Sequence, residues 1–307
     1  MEFHILNKRL ITSTYQRTAS GKADGAAILF ACFVLSALIL ASCVPTRPVE
    51  HSLLDETPVP STNPQVTADP PRWIPSRDIL WQIQFDGDLD LGIPADLYDL
   101  DLFETDTAAV AALHAQGRRV ICYLNAGAWE DWRPDADQFP SQVIGNDYAG
   151  WPGEKWLDIR RLALLAPILR ARLDLCAAKG FDGVDPDNVD GYTNATGFPL
   201  TAADQLAFNR WLAGEAHARG LAIGLKNDPE QARDLVADFD WALTEDCFVE
   251  DWCADLTPFL EAGKPILAIE YTDRTASLAP FCTEAQRLGI SPILKHRDLD
   301  AFREVCR

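Results

Sequence analysis

Four aspartates fall within nine positions of one stretch of the sequence, GFDGVDPDNVDGY at 180–192. They are Asp182, Asp185, Asp187 and Asp190, and no basic residue lies among them. Like charges this close repel each other, so the cluster costs stability unless something offsets it. Where carboxylates share a cleft, the same repulsion raises some of their pKa values and helps to separate an acid from a base. The residue types and their spacing therefore indicate acid–base chemistry by paired carboxyl groups.

The other apolar segments of the sequence also become polar or charged where they end. Side chains alternate along a strand, so residues two positions apart share a face. On this basis one rim should receive Gln82, Gln84, Asp99, Asp101, Tyr123, Asn125, Gly183, Asp185, Asp187, Gly224, Lys226, Leu243, Glu245, Ala268, Glu270 and Lys295. Charges scattered over a surface would not follow strand ends in this way. We therefore predict one shared site at that rim.

Eight short apolar runs are predicted to be the strands that carry these residues. They span 79–85, 95–101, 119–125, 181–185, 221–227, 241–246, 265–271 and 291–296. Segments with a helical period of 3.6 residues lie between most of them, and this alternation predicts a parallel sheet. Eight strands match an α/β fold of the (β/α)8 TIM barrel type, in which active sites lie at the carboxyl ends of the strands. An open, doubly wound sheet is the alternative, but no glycine-rich phosphate loop follows the first strand.

Local signals predict several helix ends and two irregular connections. Thr105 and Thr201 are plausible helix caps, and the last helix is predicted over 275–288. Only residues 86–94 separate the first two strands, which is too few for a crossover helix. The tryptophan-rich segment 126–158 follows the third strand and is expected to overhang the mouth of the barrel.

Residues 1–42 are predicted to be a signal peptide. Basic residues precede the apolar run GAAILFACFVLSALILASC, whose small residues before Cys43 resemble a bacterial lipobox. Cys43 is therefore predicted to be lipidated, with a plain signal peptide or a membrane anchor as the alternatives. Residues 43–72 are rich in Pro, Thr and Ser and predict a disordered linker. The functional domain is expected at 73–307, outside the cytoplasm and attached to a membrane only through the lipid on Cys43.

Charge and motifs exclude several classes of function. The chain has 307 residues and a net charge of −19, from 27 Lys and Arg against 46 Asp and Glu. Nucleic acid binding is excluded because phosphates require a basic surface, whereas a cationic or neutral partner suits this charge. The sequence contains no Walker-type loop, HExxH motif or CxxC pair, and its aspartates lack the spacing of an EF-hand loop. We expect no cofactor, no metal and a monomeric protein.

Six cysteines follow Cys43 and, in an exported protein, are expected to form disulfides. The favoured pairs are Cys247–Cys253, which closes a short loop, and Cys282–Cys306, which ties down the last helix. Cys122 lies in an apolar strand and Cys176 on a helix, so a third bridge is possible, but buried free thiols are the favoured interpretation for these two. Six cysteines permit about 15 pairings, and the sequence alone does not decide among them.

Paired carboxylates on a barrel rim, flanked by tryptophans, indicate glycoside hydrolysis. In that reaction one carboxyl group protonates the leaving oxygen and another attacks or activates water. The aromatic faces on which sugars would stack belong to Trp81, Trp129, Trp132, Trp151 and Trp156. The position of Lys226 at a strand end raises the alternative of a Schiff-base aldolase. Surrounding carboxylates would raise the pKa of this lysine, however, and the aldolase chemistry requires a lowered one.

The same stretches resemble glycoside hydrolase family 114, the endo-α-1,4-polygalactosaminidases. Matching segments cover nearly all of 80–305, and the most specific are GVDPDNVDGY and EAGKPILAIEY. The resemblance implies a secreted or surface (β/α)8 hydrolase that cuts α-1,4-linked galactosamine polymers, such as the galactosaminogalactan of biofilm matrices. The catalytic pair of the family falls on Asp187 and Glu245. Members usually have Asn-Glu-Glu-Cys at the sixth strand, where this chain has Thr-Glu-Asp-Cys, which weakens any role for Asp246.

The resulting prediction makes Asp187 the nucleophile or base and Glu245 the acid. The residues expected to bind sugar hydroxyls or amines are Gln82, Asp99, Asp101, Tyr123, Asn125, Trp129, Asp185, Lys226 and Glu270. Asp185 suits a supporting role, because relatives often have glutamate at that position. The alternative is a surface lipoprotein that binds carbohydrate without turnover.

Overall fold

The structure is a computed structural model that describes residues 72–306. The predicted signal peptide, Cys43 and the linker up to residue 71 lie outside the described residues and stay predictions. Among the residues that the structure describes, none belongs to a helix long and apolar enough to cross a bilayer.

The main sheet contains eight parallel strands and one antiparallel strand. In chain order the strands are β1 (Trp81–Gln84), β2 (Leu97–Asp101), β3 (Arg119–Asn125), β4 (Ala128–Glu130), β5 (Ile144–Asp147), β6 (Glu154–Leu157), β7 (Gly183–Asp187), β8 (Ala222–Lys226), β9 (Trp241–Glu245), β10 (Ile266–Tyr271), β11 (Ser291–Lys295) and β12 (Glu304–Val305). The main sheet has the order β1-β2-β3-β7-β8-β9-β10-β11-β12, and β12 is its antiparallel member. This order follows the sequence, whereas the order of a doubly wound sheet reverses at a switch point. All eight predicted strands are present.

The two edges of the main sheet meet through side chains. Trp81 of β1 donates its indole N–H to the carbonyl oxygen of Ser291 in β11 at 3.0 Å. Lys295 Nζ lies 3.3 Å from Gln82 Oε1, and Arg303 donates to the Trp81 carbonyl oxygen at 2.6 Å. Within the described chain no backbone ladder joins β1 to β11. The sheet therefore curls into a TIM-barrel-like cylinder whose seam is covered by side chains.

The described region contains six α-helices on the outside of the sheet. They are α1 (Thr107–Ala115), α2 (Leu162–Lys179), α3 (Ala202–His217), α4 (Ala232–Leu235), α5 (Thr257–Glu261) and α6 (Cys282–Leu288). As predicted, β1 passes to β2 without a helix, and Thr201 caps α3. The cap of α1 is Asp106 instead of Thr105. Helix α6 is shorter than the predicted 275–288, because Pro280 disfavours the helical conformation in the residue before it.

Trp241 of β9 fills the interior of the cylinder near the amino ends of the strands. A Cβ atom at Gly224 would lie 2.2 Å from the Trp241 indole nitrogen, and one at Gly183 would lie 2.8 Å from its ring. Glycine is required at both positions because the backbone approaches the indole this closely. Trp73 packs against Trp241 with ring centroids 6.4 Å apart. Since these aromatic rings fill the interior at the amino ends of the strands, the polar interior side chains lie at the carboxyl ends.

A second, antiparallel sheet of order β4-β6-β5 forms from the segment that follows β3. It is pinned to the loop after β7 by backbone contacts: the Ala126 and Gly127 N–H groups donate to the Asp187 carbonyl oxygen at 3.0 and 3.1 Å. The Asn146 N–H also donates to the Thr196 carbonyl oxygen at 2.9 Å. This inserted sheet thus lies at the carboxyl ends of β3 and β7, beside the predicted site.

Three disulfides are formed within the described residues. They are Cys122–Cys176, Cys247–Cys253 and Cys282–Cys306. The last two are the predicted pairs. For Cys122 and Cys176 the interpretation as free thiols is wrong, because β3 and α2 pack with the two Cα atoms 6.1 Å apart. Closing a loop of 54 residues stabilises the fold by about 4 kcal/mol in the chain-entropy model.

Candidate active site

Lys226, at the end of β8, is the centre of a charged group at the carboxyl ends of three neighbouring strands. Its Nζ lies 3.6 Å from Asp185 Oδ2, 3.3 Å from Asp187 Oδ1 and 3.5 Å from Glu245 Oε2. The repulsion among the carboxylates is therefore offset by one ammonium group. Because Asp187 Oδ1 and Glu245 Oε2 contact the same nitrogen, their separation cannot exceed the sum of 3.3 and 3.5 Å, about 6.8 Å.

Solvent reaches only part of this group. The side chains of Asp187 and Glu245 are 20% and 29% exposed, whereas those of Lys226 and Asp185 are 4% and 0% exposed. A molecule that enters from solvent therefore meets the two carboxylates, with the ammonium group behind and between them. The arrangement suits two carboxyl groups that act together on one bond.

Two tyrosines orient the exposed pair. The Tyr123 hydroxyl group donates to Asp187 Oδ2 at 2.9 Å, and the Tyr271 hydroxyl group donates to Glu245 Oε1. Burial, followed by the charge of the adjacent carboxylate, raises the pKa of both tyrosines well above its ordinary value. Both hydroxyl groups therefore keep their protons. After Lys226 and Tyr123, the backbone N–H of Asn188 is the third donor to Asp187, at 2.9 Å.

Asp99 on β2 and Asp185 on β7 form a second pair, away from solvent. Both are fully buried, and among the described residues none of their carboxyl oxygens finds a hydrogen-bond donor while both groups are ionised. Burial, and then the charge of Asp185, raise the pKa of Asp99 well above its usual range. Burial also raises the pKa of Asp185, to about 6, although Lys226 opposes the shift. A proton on Asp99 would relieve the repulsion between the two groups and would allow Asp99 to donate a hydrogen bond to Asp185.

The charge state of Lys226 bears on the aldolase alternative. Burial by itself lowers the pKa of this lysine, but the charges of Asp185, Asp187 and Glu245 outweigh burial and raise the pKa well above its ordinary value. A Schiff-base lysine requires the opposite shift. Lys226 is thus a fixed cation, which disfavours the aldolase.

The position of Asp187 is fixed by a close contact with the inserted sheet. A Cβ atom at Gly127 would lie 1.7 Å from the carbonyl oxygen of Asn188, so only glycine fits there. Asn188 itself has a φ of 62°, a left-handed conformation that asparagine tolerates better than most residues. Since Gly127 also donates to the Asp187 carbonyl oxygen, the insertion and the loop after β7 form one unit.

Five of the predicted sugar-binding residues have partners inside the protein. Asp101 accepts two backbone N–H groups and an arginine at 2.7 Å, and Asn125 accepts a backbone N–H at 2.7 Å. Gln82 donates to a carbonyl oxygen at 3.2 Å near the seam, and Trp129 donates to another at 2.9 Å within the insertion. Glu270 accepts two backbone N–H groups at 2.9 and 3.2 Å, and burial raises its pKa to about 7. These contacts indicate that the five residues support the local backbone.

Of the four clustered aspartates, Asp182 lies at the other end of β7. It binds Arg119 at 2.5 Å and the Val120 N–H at 2.9 Å, so its role is structural. Asp190 stays near the site: burial, and then the charge of Asp187, raise its pKa to about 7. The cluster thus divides between the two ends of one strand.

Sequence reasoning missed three aromatic residues of the site. Tyr271 occupies the inward position, which the sequence pattern assigns to Glu270. The assignment is wrong because the segment ILAIEY is apolar on both faces and shows no alternation. Phe85 packs on Tyr123 with ring centroids 4.5 Å apart. Tyr148 comes from the inserted sheet, and no local pattern marks it.

One group of side chains has the composition of a metal site. His296, Asp298 and Asp300 hold potential ligand atoms within 4.8 Å of one another on the loop after β11. His296 Nδ1 already lies 2.9 Å from Asp300 Oδ2, which accounts for two of the three groups. The absence of a metal from the reaction stays a prediction.

Comparisons with known proteins agree with this geometry. Residues 62–307 match the model of glycoside-hydrolase family GH114. An uncharacterized protein of Deinococcus radiodurans is 28% identical over 302 residues, which cover 86% of this chain and 96% of that protein. The crystal structure of Aspergillus fumigatus Ega3 in complex with galactosamine has a TM-score of 0.73 and 38% identity, and the match covers 76% of this chain and 97% of that one.

The glycoside hydrolase domain of PelA from Pseudomonas aeruginosa has the same fold. Its TM-score is 0.59 at 17% identity, and the match covers 74% of this chain and 98% of that domain. The family match spans most of the chain and all of the site. The chain therefore belongs to glycoside-hydrolase family GH114 and is a glycoside hydrolase.

Proposed function

We propose that the chain is an extracytoplasmic (β/α)8 glycoside hydrolase that cuts within polysaccharides of α-1,4-linked galactosamine and N-acetylgalactosamine. Asp187 and Glu245 are its catalytic pair. The observation that carries the proposal is the arrangement of these two exposed carboxylates on either side of Lys226. It occurs in a chain 38% identical to Ega3, whose crystal structure contains galactosamine.

The surroundings of the two carboxyl groups support different roles. Asp187 is the less exposed, and Lys226, Tyr123 and the Asn188 N–H hold it in one orientation, as attack on an anomeric carbon requires. Glu245 is the more exposed and has room to protonate the leaving oxygen. Attack by Asp187 forms a covalent bond to the anomeric carbon while the bond to the leaving oxygen breaks and that oxygen takes the Glu245 proton. In the second half Glu245, now ionised, takes a proton from water, and the water oxygen displaces Asp187 from the anomeric carbon.

Electrostatics favours a substrate with free amino groups. With Glu245 protonated as the acid, the carboxylates of Asp185 and Asp187 still outnumber the single charge of Lys226, and Asp187 is partly exposed while Lys226 is buried. A galactosamine ammonium group is attracted to this mouth, whereas the neutral N-acetyl form gains less from it. The net charge of −19 acts in the same direction over a longer range.

The location outside the cytoplasm is supported by the three disulfides, since such bonds persist in oxidising compartments. The proposed anchor is a lipid on Cys43, at the end of a signal peptide over 1–42, with 43–72 as a linker. Labelling of cells with a tagged fatty acid tests the anchor. Incorporation into the wild-type chain that is lost in Cys43→Ser supports it, and equal incorporation in both contradicts it.

The substrate is tested with three polymers: α-1,4-galactosamine, its fully N-acetylated form and the β-1,4-linked glucosamine polymer. Mass spectrometry of the products should show a ladder of oligosaccharides from the first, fewer products from the second and none from the third. Binding of the first polymer without release of products would instead support a carbohydrate-binding protein that lacks turnover. Release of monosaccharide alone would contradict internal cleavage.

A further inference from the structure

Two tryptophans of the inserted sheet are exposed to solvent. Trp132 is 51% exposed and Trp151 is 36% exposed, while the other tryptophans of the chain are buried or half-buried. Large aromatic side chains contribute most to stability when they are buried, so two exposed ones on a single element suggest a binding surface.

Both tryptophans belong to the same end of the inserted sheet. The Asp131 N–H donates to the Gly153 carbonyl oxygen at 3.0 Å, and the Trp132 ring lies so close to Gly153 that a Cβ atom there would be 2.9 Å from it. The Trp151 N–H donates to the Tyr148 carbonyl oxygen at 3.2 Å. We call this surface, residues 131–132 and 148–153, the tip.

The tip continues into the catalytic mouth through Tyr148. The Tyr148 ring packs on Trp156 with centroids 4.8 Å apart, and the Trp156 ring lies 3.4 Å from the Cβ position of Gly191, four residues after Asp187. Burial, and then the charges of Asp190, Asp187 and Glu245, raise the pKa of Tyr148 above its ordinary value. Through Trp156, Tyr148 thus connects the tip to the loop that follows Asp187.

The charge of the inserted segment complements a cationic polymer. Residues 126–158 contain seven acidic and two basic side chains. Asp131 is exposed on the tip, and the side chain of Asp147, at its edge, is 82% exposed although it pairs with Lys155. Amino sugars present an apolar C–H face to an indole ring and an ammonium group to a nearby carboxylate, so this surface provides both kinds of contact.

We propose that the tip binds the galactosamine chain beyond the catalytic pair, with Trp132 and Trp151 as stacking platforms for successive sugar units. The proposal rests on the proposed function and adds the path of the polymer away from the point of cleavage. Each exposed cation–π or stacking contact contributes about 0.5–1 kcal/mol. Two such contacts change affinity by about five- to thirtyfold.

The test compares the wild type with a Trp132→Ala/Trp151→Ala double variant on the long galactosamine polymer and on a short galactosamine oligosaccharide. The ratio of kcat/KM for the polymer to that for the oligosaccharide should fall about five- to thirtyfold in the double variant. The Trp132→Phe/Trp151→Phe double variant should recover most of the loss, because its rings still stack. Leu80→Ala is the matched control: Leu80 is 49% exposed but lies before β1, at the opposite end of the cylinder, and its ratio should not change.

An unchanged ratio in the double variant, or an equal loss on both substrates, would overturn the proposal. Binding to immobilised polymer is measured in parallel, since it requires no turnover. If the wild type releases no product, the proposed function fails, and the tip is still tested by the loss of binding in the double variant. Thermal unfolding confirms that each variant is folded.

Discussion

Replacing Gly127 with alanine would place a methyl group where the carbonyl oxygen of Asn188 now lies. The added Cβ atom would be 1.7 Å from that oxygen, and real Cβ contacts essentially never fall below 3.0 Å. One of the two segments must therefore move by at least about 1.3 Å. The loop that moves follows Asp187 directly, and the Gly127 N–H bonds to the Asp187 carbonyl oxygen, so the displacement reaches the proposed catalytic residue.

The expected effect is large on turnover and moderate on stability. A displacement of about 1 Å in a catalytic group reduces kcat about 100-fold. Overpacking of this kind costs about 1–3 kcal/mol of unfolding free energy. Gly127→Ala should therefore fold at room temperature, melt at a lower temperature than the wild type and cleave the galactosamine polymer about 100 times more slowly.

Gly214→Ala is the matched control for this substitution. Gly214 lies on the exposed face of α3, and a Cβ atom there would meet nothing within 4 Å. Alanine should stabilise that helix by about 0.5–1 kcal/mol and leave kcat unchanged. If Gly127→Ala kept the kcat of Gly214→Ala, the idea that the inserted sheet positions Asp187 would be refuted.

Three further predictions concern the buried acid Asp228 on the loop after β8, the buried acid Asp99 and the spacing of Asp187 and Glu245. Asp228 is 1% exposed, and burial raises its pKa to about 8. The folded protein therefore binds a proton that the unfolded chain releases, so the free energy of unfolding should fall by about 2 kcal/mol between about pH 6 and pH 8. Urea unfolding of Asp228→Asn should lack this part of the pH dependence. Asp99→Asn should keep kcat within about threefold because an amide also donates to Asp185, whereas Asp99→Leu should lose about tenfold. Equal losses, or an infrared difference spectrum between the wild type and Asp99→Asn that shows no lost protonated-carboxyl band, would contradict the assignment. The separation between oxygens of Asp187 and Glu245 is at most about 6.8 Å, which excludes nearly all of the inverting range of about 6.5–9.5 Å and includes the retaining value of about 5–5.5 Å. Nuclear magnetic resonance of the first product should therefore show the α-anomer, and an initial β-anomer would refute the prediction.

The sequence predicted the strands and the central carboxylates because local patterns mark both. Each strand is an apolar run between turn signals, and a parallel cylinder brings the ends of such runs to one rim. Asp187, Lys226 and Glu245 each end a run, so their proximity followed from the fold alone. The seam was not predictable, since it depends on side chains such as Lys295 and Arg303 that meet only in three dimensions.

The sequence could not predict which face of a fully buried strand points inward, or any feature that depends on contacts between distant segments. A strand that is buried on both faces shows no alternation, so Glu270 was assigned the inward position of Tyr271. The inserted sheet depends on contacts between Gly127 and the loop after β7, about sixty residues away, which no local pattern encodes. Tyr148 was missed for the same reason. The Cys122–Cys176 bridge also depends on how α2 packs on β3.

The most direct test of the proposed catalytic pair is the rate of cleavage of the galactosamine polymer by Asp187→Asn and by Glu245→Gln, measured beside the exposed controls Asp78→Asn and Glu261→Gln. Each catalytic variant should lose at least about 1000-fold in kcat/KM while it melts within a few degrees of the wild type, and both controls should keep full activity. A folded Asp187→Asn or Glu245→Gln protein that cleaves the polymer at a rate near that of the wild type would contradict the account.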